Sequence, residues 1–145
     1  MKERNNKLSL EFTAYYSDTD SYGVVWHGSY LRWLEAGRVE YLRENGLDIM
    51  KLQDEDGIVL PLAALEIKYI APVRCGERVK VITEPEETRN TWATFNQTIV
   101  SAQNPDKVYV KAHIKCGGVD REGKLVKNLK EILEVCQKEE NTYAC

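Results

Sequence analysis

At 145 residues, with 43% hydrophobic and 30% charged residues, the chain is long enough to bury a core, and its composition lies outside the disordered range. A net charge of −3 argues against broad nucleic-acid binding, and no apolar run is long enough to cross a membrane. The size prior is one domain, residues 1–145, with a core over about 8–137 and a polar tail over 138–145.

The polar opening, Met1 to Lys7, leads into no continuous apolar stretch, so it does not read as a secretory signal. Residues 8–17 alternate. Leu8, Leu10, Phe12, Ala14 and Tyr16 share one face, and Ser9, Glu11, Thr13, Tyr15 and Ser17 the other, as in a half-buried strand. Residues 27–45 change period. Tyr30, Leu34, Gly37, Arg38 and Tyr41 recur at helical spacing, and Leu31, Trp33, Ala36, Val39 and Leu42 widen the apolar surface. A helix this apolar is expected to be wrapped by other structure. Gly37 inside it costs about 1 kcal/mol of propensity, which a close approach to a neighbouring backbone would explain. Asn45-Gly46 is a stop signal.

A short polar connection, Asp54 to Gly57, precedes segments that read as strands. Alternating runs cover 64–70, 78–83, 93–99 and 108–116, separated by turns at Pro72 to Gly76, Asn104-Pro105-Asp106 and Asp120 to Gly123. Asn128 with Glu131 three residues on resembles a cap opening a last helix, Leu129 to Gln137. Short turns demand antiparallel neighbours, so the expected fold class is α+β, with one long helix against a curved antiparallel sheet.

Four cysteines, Cys75, Cys116, Cys136 and Cys145, show no metal-binding spacing with each other or with the two histidines, His27 and His113. They read as packing or loop residues of a reduced, cytoplasmic protein. His113 reads as a surface or interface residue on the polar side of a strand, and Glu35 with Arg38 as a structural i,i+3 pair.

Chemistry concentrates at the junction Asp18-Thr19-Asp20-Ser21-Tyr22-Gly23-Val24-Val25-Trp26-His27, between a strand pattern and a helix pattern. A calcium loop fits Asp18, Asp20 and Gly23 at positions 1, 3 and 6. It fails at position 5, Tyr22, and at position 12, where Ser29 replaces a bidentate glutamate. An aspartyl phosphatase needs a parallel sheet with crossover helices, which this order of elements does not offer. A third reading is a carboxylate acting on an acyl group without metal. Val24, Val25 and Trp26 would desolvate the bound group, and the free N–H groups of the following helix would face a developing oxyanion. The bland alternative is that Asp18 or Asp20 merely caps the helix.

The run from Asp18 to Arg38 resembles the N-terminal signature of hotdog-fold acyl-CoA thioesterases. It follows the pattern Asp-x-Asp-x-x-Gly-hydrophobic-Val-aromatic-His-x-x-Tyr and then an aromatic-x-Glu-x-x-Arg helix. The most similar branch is that of 4-hydroxybenzoyl-CoA thioesterase, which includes bacterial acyl-CoA thioesterases associated with the Tol-Pal system. A second stretch, Tyr69 to Val79, resembles the family's strand, proline turn and Gly-acidic strand start, and the resemblance covers about residues 8–136.

It implies a hotdog fold, a long helix wrapped by an antiparallel sheet, and hydrolysis of an acyl-CoA or carrier-protein thioester. No cofactor is implied beyond the coenzyme A of the substrate. The site is implied to lie between subunits of a homodimer, with a homotetramer as a further step. Asp20 matches the catalytic carboxylate, as nucleophile or general base, and the His27 backbone N–H the carbonyl-polarising donor. The His27 side chain is a further candidate. Gly23 matches a turn glycine where a side chain would crowd the thioester, Tyr30 an aromatic near the site, and Asp18 a turn-shaping residue. Val25 and Trp26 are candidate substrate contacts. Arg89, Lys111 and Arg74 are candidates for the coenzyme A phosphates. Gly28-Ser29 departs from the usual pattern before the tyrosine. Rival readings are a hotdog enoyl-thioester hydratase or dehydratase, a non-catalytic acyl-CoA binding module, and a bare dimerising scaffold.

Overall fold

The computed structural model describes residues 7–133. The expected end of the last helix, the polar tail, Cys136 and Cys145 lie outside that range.

Five strands form one antiparallel sheet: β1 (Leu8–Thr13), β2 (Leu62–Tyr69), β3 (Arg78–Thr88), β4 (Trp92–Ser101) and β5 (Val108–Gly117). Their spatial order is β1-β3-β4-β5-β2. The long helix α1 (His27–Glu44) lies across one face. Alternation decides which residues face it. Val79 and Val81 of β3, Phe95 and Ile99 of β4, and Val110 and Ile114 of β5 are buried against Tyr30, Trp33, Leu34 and Tyr41 of α1. Glu11, Lys80, Asn96 and Lys111, at intervening positions, face outward. This is the α+β arrangement the periodicities predict.

Gly37 marks the tightest point. A Cβ there would stand 2.8 Å from Thr83 Oγ1, 3.0 Å from Val81 Cγ1 and 3.1 Å from Gln97 Nε2. The close approach is therefore to side chains of the sheet, not to a neighbouring backbone. Gln97 explains the crowding. Its Nε2 donates to the Leu34 carbonyl of α1 and to Thr83 Oγ1, both at 2.8 Å, and its Oε1 accepts from Arg38 at 2.9 Å. A buried amide thus has its groups engaged and ties helix to sheet. Arg38 turns to Gln97, and desolvation lowers its pKa while Glu35 and Cys116 oppose the shift.

Three local expectations need revision. The first strand ends at Thr13, not at residue 17, because Asp18 folds the chain back. Its Oδ2 accepts the Tyr15 N–H at 2.9 Å, its own N–H donates to the Tyr15 carbonyl, and a 3₁₀ turn forms over Tyr16–Asp18. The polar connection after α1 is helical. Asp48 caps a short helix, α2 (Ile49–Lys51), by accepting the Met50 and Lys51 N–H groups, and a π-helical turn, Leu52–Asp56, runs on to Gly57 at φ 68°. Strand β3 continues past Pro85, which cannot donate to a ladder. The register with β4 shifts between Pro85 and Glu87 to accommodate it. Residues 129–133 are helical, and the Ile132 N–H bonds the Asn128 carbonyl, which sets Asn128 at the helix start.

Candidate active site

The segment between β1 and α1 is held by its own backbone. The Asp20 N–H donates to the Val24 carbonyl at 2.9 Å, and the Gly23 N–H returns to the Asp20 carbonyl at 3.1 Å. Asp20 Oδ1 accepts the Tyr22 N–H at 2.8 Å. Aspartate at the first position and glycine at the last, with φ 80° at Gly23, are the residues such a turn requires. Thr19 bridges Val25 and Val24 bridges Arg74, so the turn is pinned to the chain that leaves β2. The Val25 N–H bonds the Val73 carbonyl at 2.8 Å, and the Trp26 N–H bonds the Asp18 carbonyl at 2.8 Å.

This stitching brings the tip of α1 beside the acid. Asp20, Val25, His27 and Tyr30 line a cleft of about 470 Å³, whose far wall is Tyr69, Ile70, Ala71 and Pro72. His27 is the first helical residue, so its N–H has no carbonyl a turn earlier to bond. Trp26 precedes it at the cap position and makes no side-chain capping bond. Neither Asp18 nor Asp20 caps α1, which removes the bland alternative. One oxygen of Asp20 is anchored by Tyr22, and Asp20 is exposed at the cleft. The arrangement offers a carboxylate and a free backbone donor on the positive end of a long helix dipole, the pair of groups an acyl transfer needs.

The cleft floor is sewn to the sheet. Tyr30 is 4% exposed, and its hydroxyl oxygen accepts the Val73 N–H at 3.0 Å. Burial pushes this hydroxyl above the ordinary tyrosine range, against the opposing pull of the Val73 N–H. Its ring meets Trp33 edge-on at 5.8 Å and Tyr69 at 5.6 Å. Behind it, Glu77 accepts the Arg74 N–H at 3.2 Å and the hydroxyl of buried Tyr109. Burial, then Glu77, pushes Tyr109 up to about 12.

Other expected contacts stand elsewhere in the chain. Gly23 does not line the cleft, and a Cβ there would meet nothing within 4 Å. Its positive φ of 80° calls for glycine, and no protein atom crowds it. Trp26 is half exposed, its ring lies 5.1 Å from that of His27 and tilted to it by 50°, and its indole lies over Gly28. Arg89 sits in the β3–β4 turn, paired with Glu87, and Lys111 points outward from β5 opposite Thr98. Neither lines the cleft. Arg74 is nearer, bridged to Val24. His113 is half exposed beside Glu86, whose pKa it lowers.

In the sequence the wall from Tyr69 to Pro72 reads as a strand end and a proline turn, with Tyr69 a candidate pocket aromatic that the cleft does include. Nothing local in that stretch announces what it faces. A larger cavity of about 680 Å³ lies on the other flank of α1, lined by apolar residues such as Leu31, Leu42, Leu65 and Phe95. Its charged groups, Arg32, Glu35 and Arg38, stand beyond the first turn of α1, and Asp20 is not among its lining residues.

A long helix on an antiparallel sheet, with an acid at the helix tip, defines the class of hotdog acyl-thioester enzymes. The thioesterase-like superfamily model matches residues 16–137, and the chain belongs to that family. It is 36% identical over 90 residues to the acyl-CoA thioester hydrolase YbgC of Escherichia coli, an alignment covering 62% of this chain and 66% of that protein. It is 31% identical over 115 residues to the acyl-CoA thioesterase YbgC of Helicobacter pylori, covering 74% and 82%. The 4-hydroxybenzoyl-CoA thioesterase of Pseudomonas sp. strain CBS-3 shares the fold, with a TM-score of 0.80 at 19% identity over 91% of this chain and 100% of that one.

Proposed function

We propose that this chain hydrolyses acyl-CoA thioesters to the free acid and coenzyme A. The observation that carries the reading is that Asp20 and the first N–H of α1 share one cleft. In this reading the thioester carbonyl oxygen accepts the His27 N–H, and its carbon faces Asp20. Asp20 either attacks that carbon or takes a proton from an attacking water. The carbon–sulfur bond then breaks, the thiolate takes up a proton, and water supplies the oxygen of the released acid. No metal or redox cofactor takes part; coenzyme A enters with the substrate.

Family membership and the named YbgC relatives support this chemistry over a binding module or a bare scaffold. His27 lines the cleft with Asp20, and a histidine beside an acid is the feature that keeps enoyl-thioester hydration as a second reading. Thiol release from a panel of acyl-CoA substrates, against hydration of an enoyl-CoA, separates the two. Asp20→Asn is expected to lower thiol release at least about 10²-fold. Full activity in that variant would remove Asp20 from the role.

The working unit in this proposal is a homodimer. Among the described residues strand β2 lies at a sheet edge, hydrogen-bonded on one side to β5, and Leu62, Tyr69 and Ile70 beside that edge are about half exposed. An edge of this kind is a template for pairing with a second copy. A homotetramer would be a dimer of such dimers. Arg74 is the favoured contact for coenzyme A phosphate, and Arg89 and Lys111 would serve across a subunit boundary. Among the described residues no helix is long and apolar enough to cross a membrane, and Cys75 and Cys116 carry free thiols. Free thiols support a cytoplasmic setting.

A further inference from the structure

The hydroxyl of Tyr30 has one use that the fold does not account for. A phenol can accept a hydrogen bond and also donate one. Tyr30 is 4% exposed, and its oxygen already accepts from the Val73 N–H at 3.0 Å. That amide occupies one lone pair, so the hydroxyl proton must point elsewhere. Among the described residues no acceptor takes it. Asp20, which shares the cleft, spends Oδ1 on the Tyr22 N–H and accepts nothing from Tyr30. A buried donor without an acceptor is unusual, because desolvation without a compensating bond costs about 1–3 kcal/mol.

The location gives the proton a purpose. Tyr30 stands one turn along α1 from His27, and both line the cleft with Asp20. If the hydroxyl served to orient the Asp20 side chain, the two would already be bonded in the cleft they share. The proton is instead held ready for an acceptor that comes with the substrate. We propose that the Tyr30 hydroxyl is a second oxyanion donor, joining the His27 N–H on the thioester carbonyl oxygen as negative charge builds there. The hydroxyl keeps its proton throughout. It donates a hydrogen bond, while the Val73 N–H and the rings of Trp33 and Tyr69 hold the phenol in place. A preorganised donor costs little to align at the moment of reaction, which is where such groups gain their leverage.

This inference rests on the thioesterase reading, and the test keeps the two apart. Steady-state thiol release is measured with benzoyl-CoA and hexanoyl-CoA, using whichever the wild-type protein cleaves faster. A wild-type protein that cleaves neither overturns the reading and the inference together. With an active wild type, Tyr30→Phe is expected to lower kcat by about 10²–10³-fold while KM stays within about twofold, as for loss of one oxyanion donor. Binding of S-hexyl-CoA, a thioether with no carbonyl, is expected to be the same in both proteins. A kcat within twofold of wild type, or weaker binding of the thioether, overturns the assignment, the latter because it marks Tyr30 as a binding wall. Should Tyr30→Phe fail to fold, Tyr30 is replaced site-specifically by 3-fluorotyrosine, which keeps the ring and both hydrogen-bonding roles and makes the proton more acidic. A changed kcat at constant KM supports the donor role, and an unchanged kcat overturns it.

Discussion

The guanidinium of Arg32, in the second turn of α1, closes on the carboxylate of Asp18, fourteen residues earlier. The Asp18 side chain is 3% exposed and that of Arg32 is 63% exposed, so the acid is fixed inside and the base reaches in to it. Asp18 also accepts the Tyr15 N–H through its side chain, and the Trp26 N–H and Ser29 hydroxyl through its carbonyl. The turn that carries Asp20 is therefore clamped at both ends through one residue. Asp20 lines the cleft, and Asp18 decides where Asp20 stands.

Arg32→Ala leaves a buried carboxylate with only a neutral amide donor. The expected loss is about 1–3 kcal/mol of stability, read as a shift in the urea midpoint at unchanged slope. Arg32→Lys should recover part of it, because a point charge replaces a planar fork. A midpoint unchanged in the alanine variant would show that the pair contributes nothing.

Gly37→Ala improves helix propensity by about 1 kcal/mol and yet should destabilise the protein. The added methyl meets Thr83 Oγ1, Val81 Cγ1 and Gln97 Nε2 at 2.8–3.1 Å. Relief means pushing α1 off the sheet or breaking the Gln97 bonds to Leu34 and Thr83, and overpacking of this kind costs about 1–3 kcal/mol. Chemical denaturation gives the sign, and a net gain in stability would contradict this account of the contact.

Gly23 separates conformational from steric demand. Its φ of 80° disfavours a side chain, although the space around it is open. Gly23→Ala should lose about 1–2 kcal/mol, and Gly23→Asn, which tolerates the left-handed region, less than half of that. Thermal melts of the two variants supply the comparison. Equal losses would point to crowding instead.

Tyr109 should make stability fall at high pH. Its native pKa, pushed up to about 12, lies above the ordinary value near 10. The native state therefore holds the proton more tightly than the unfolded chain. That contribution is complete below pH 10 and is lost as pH rises towards 12, amounting to about 2 kcal/mol by pH 11.5. Urea unfolding at pH 9 and pH 11.5 should show the drop. Tyr109→Phe should flatten it, apart from the share due to Tyr30, whose pKa is also raised.

Much of this protein is written locally. Period-2 runs announced the strands, although β1 stops earlier than its alternation does, because an Asp18 side-chain bond competes with the ladder. The apolar stripe from Tyr30 to Tyr41 announced α1, and the family resemblance marked Gly23 as a turn glycine; the structure makes that turn with the Asp20 side chain on the Tyr22 N–H. The helical turn capped by Asp48 was missed for the opposite reason. Its residues carry no period, and a single carboxylate bonding two amides decides it.

What the sequence determined alone is therefore short-range: helix, strands, turn, and an acid placed just ahead of a helix start. Tertiary structure decided that β3 and β4 lie between β1 and β5, that the end of β2 walls the cleft, that Arg32 reaches back to Asp18, and that Tyr30 meets Val73 across forty-three residues of chain. Those contacts depend on which remote backbone groups find each other once the core has excluded water, and no local propensity encodes that choice.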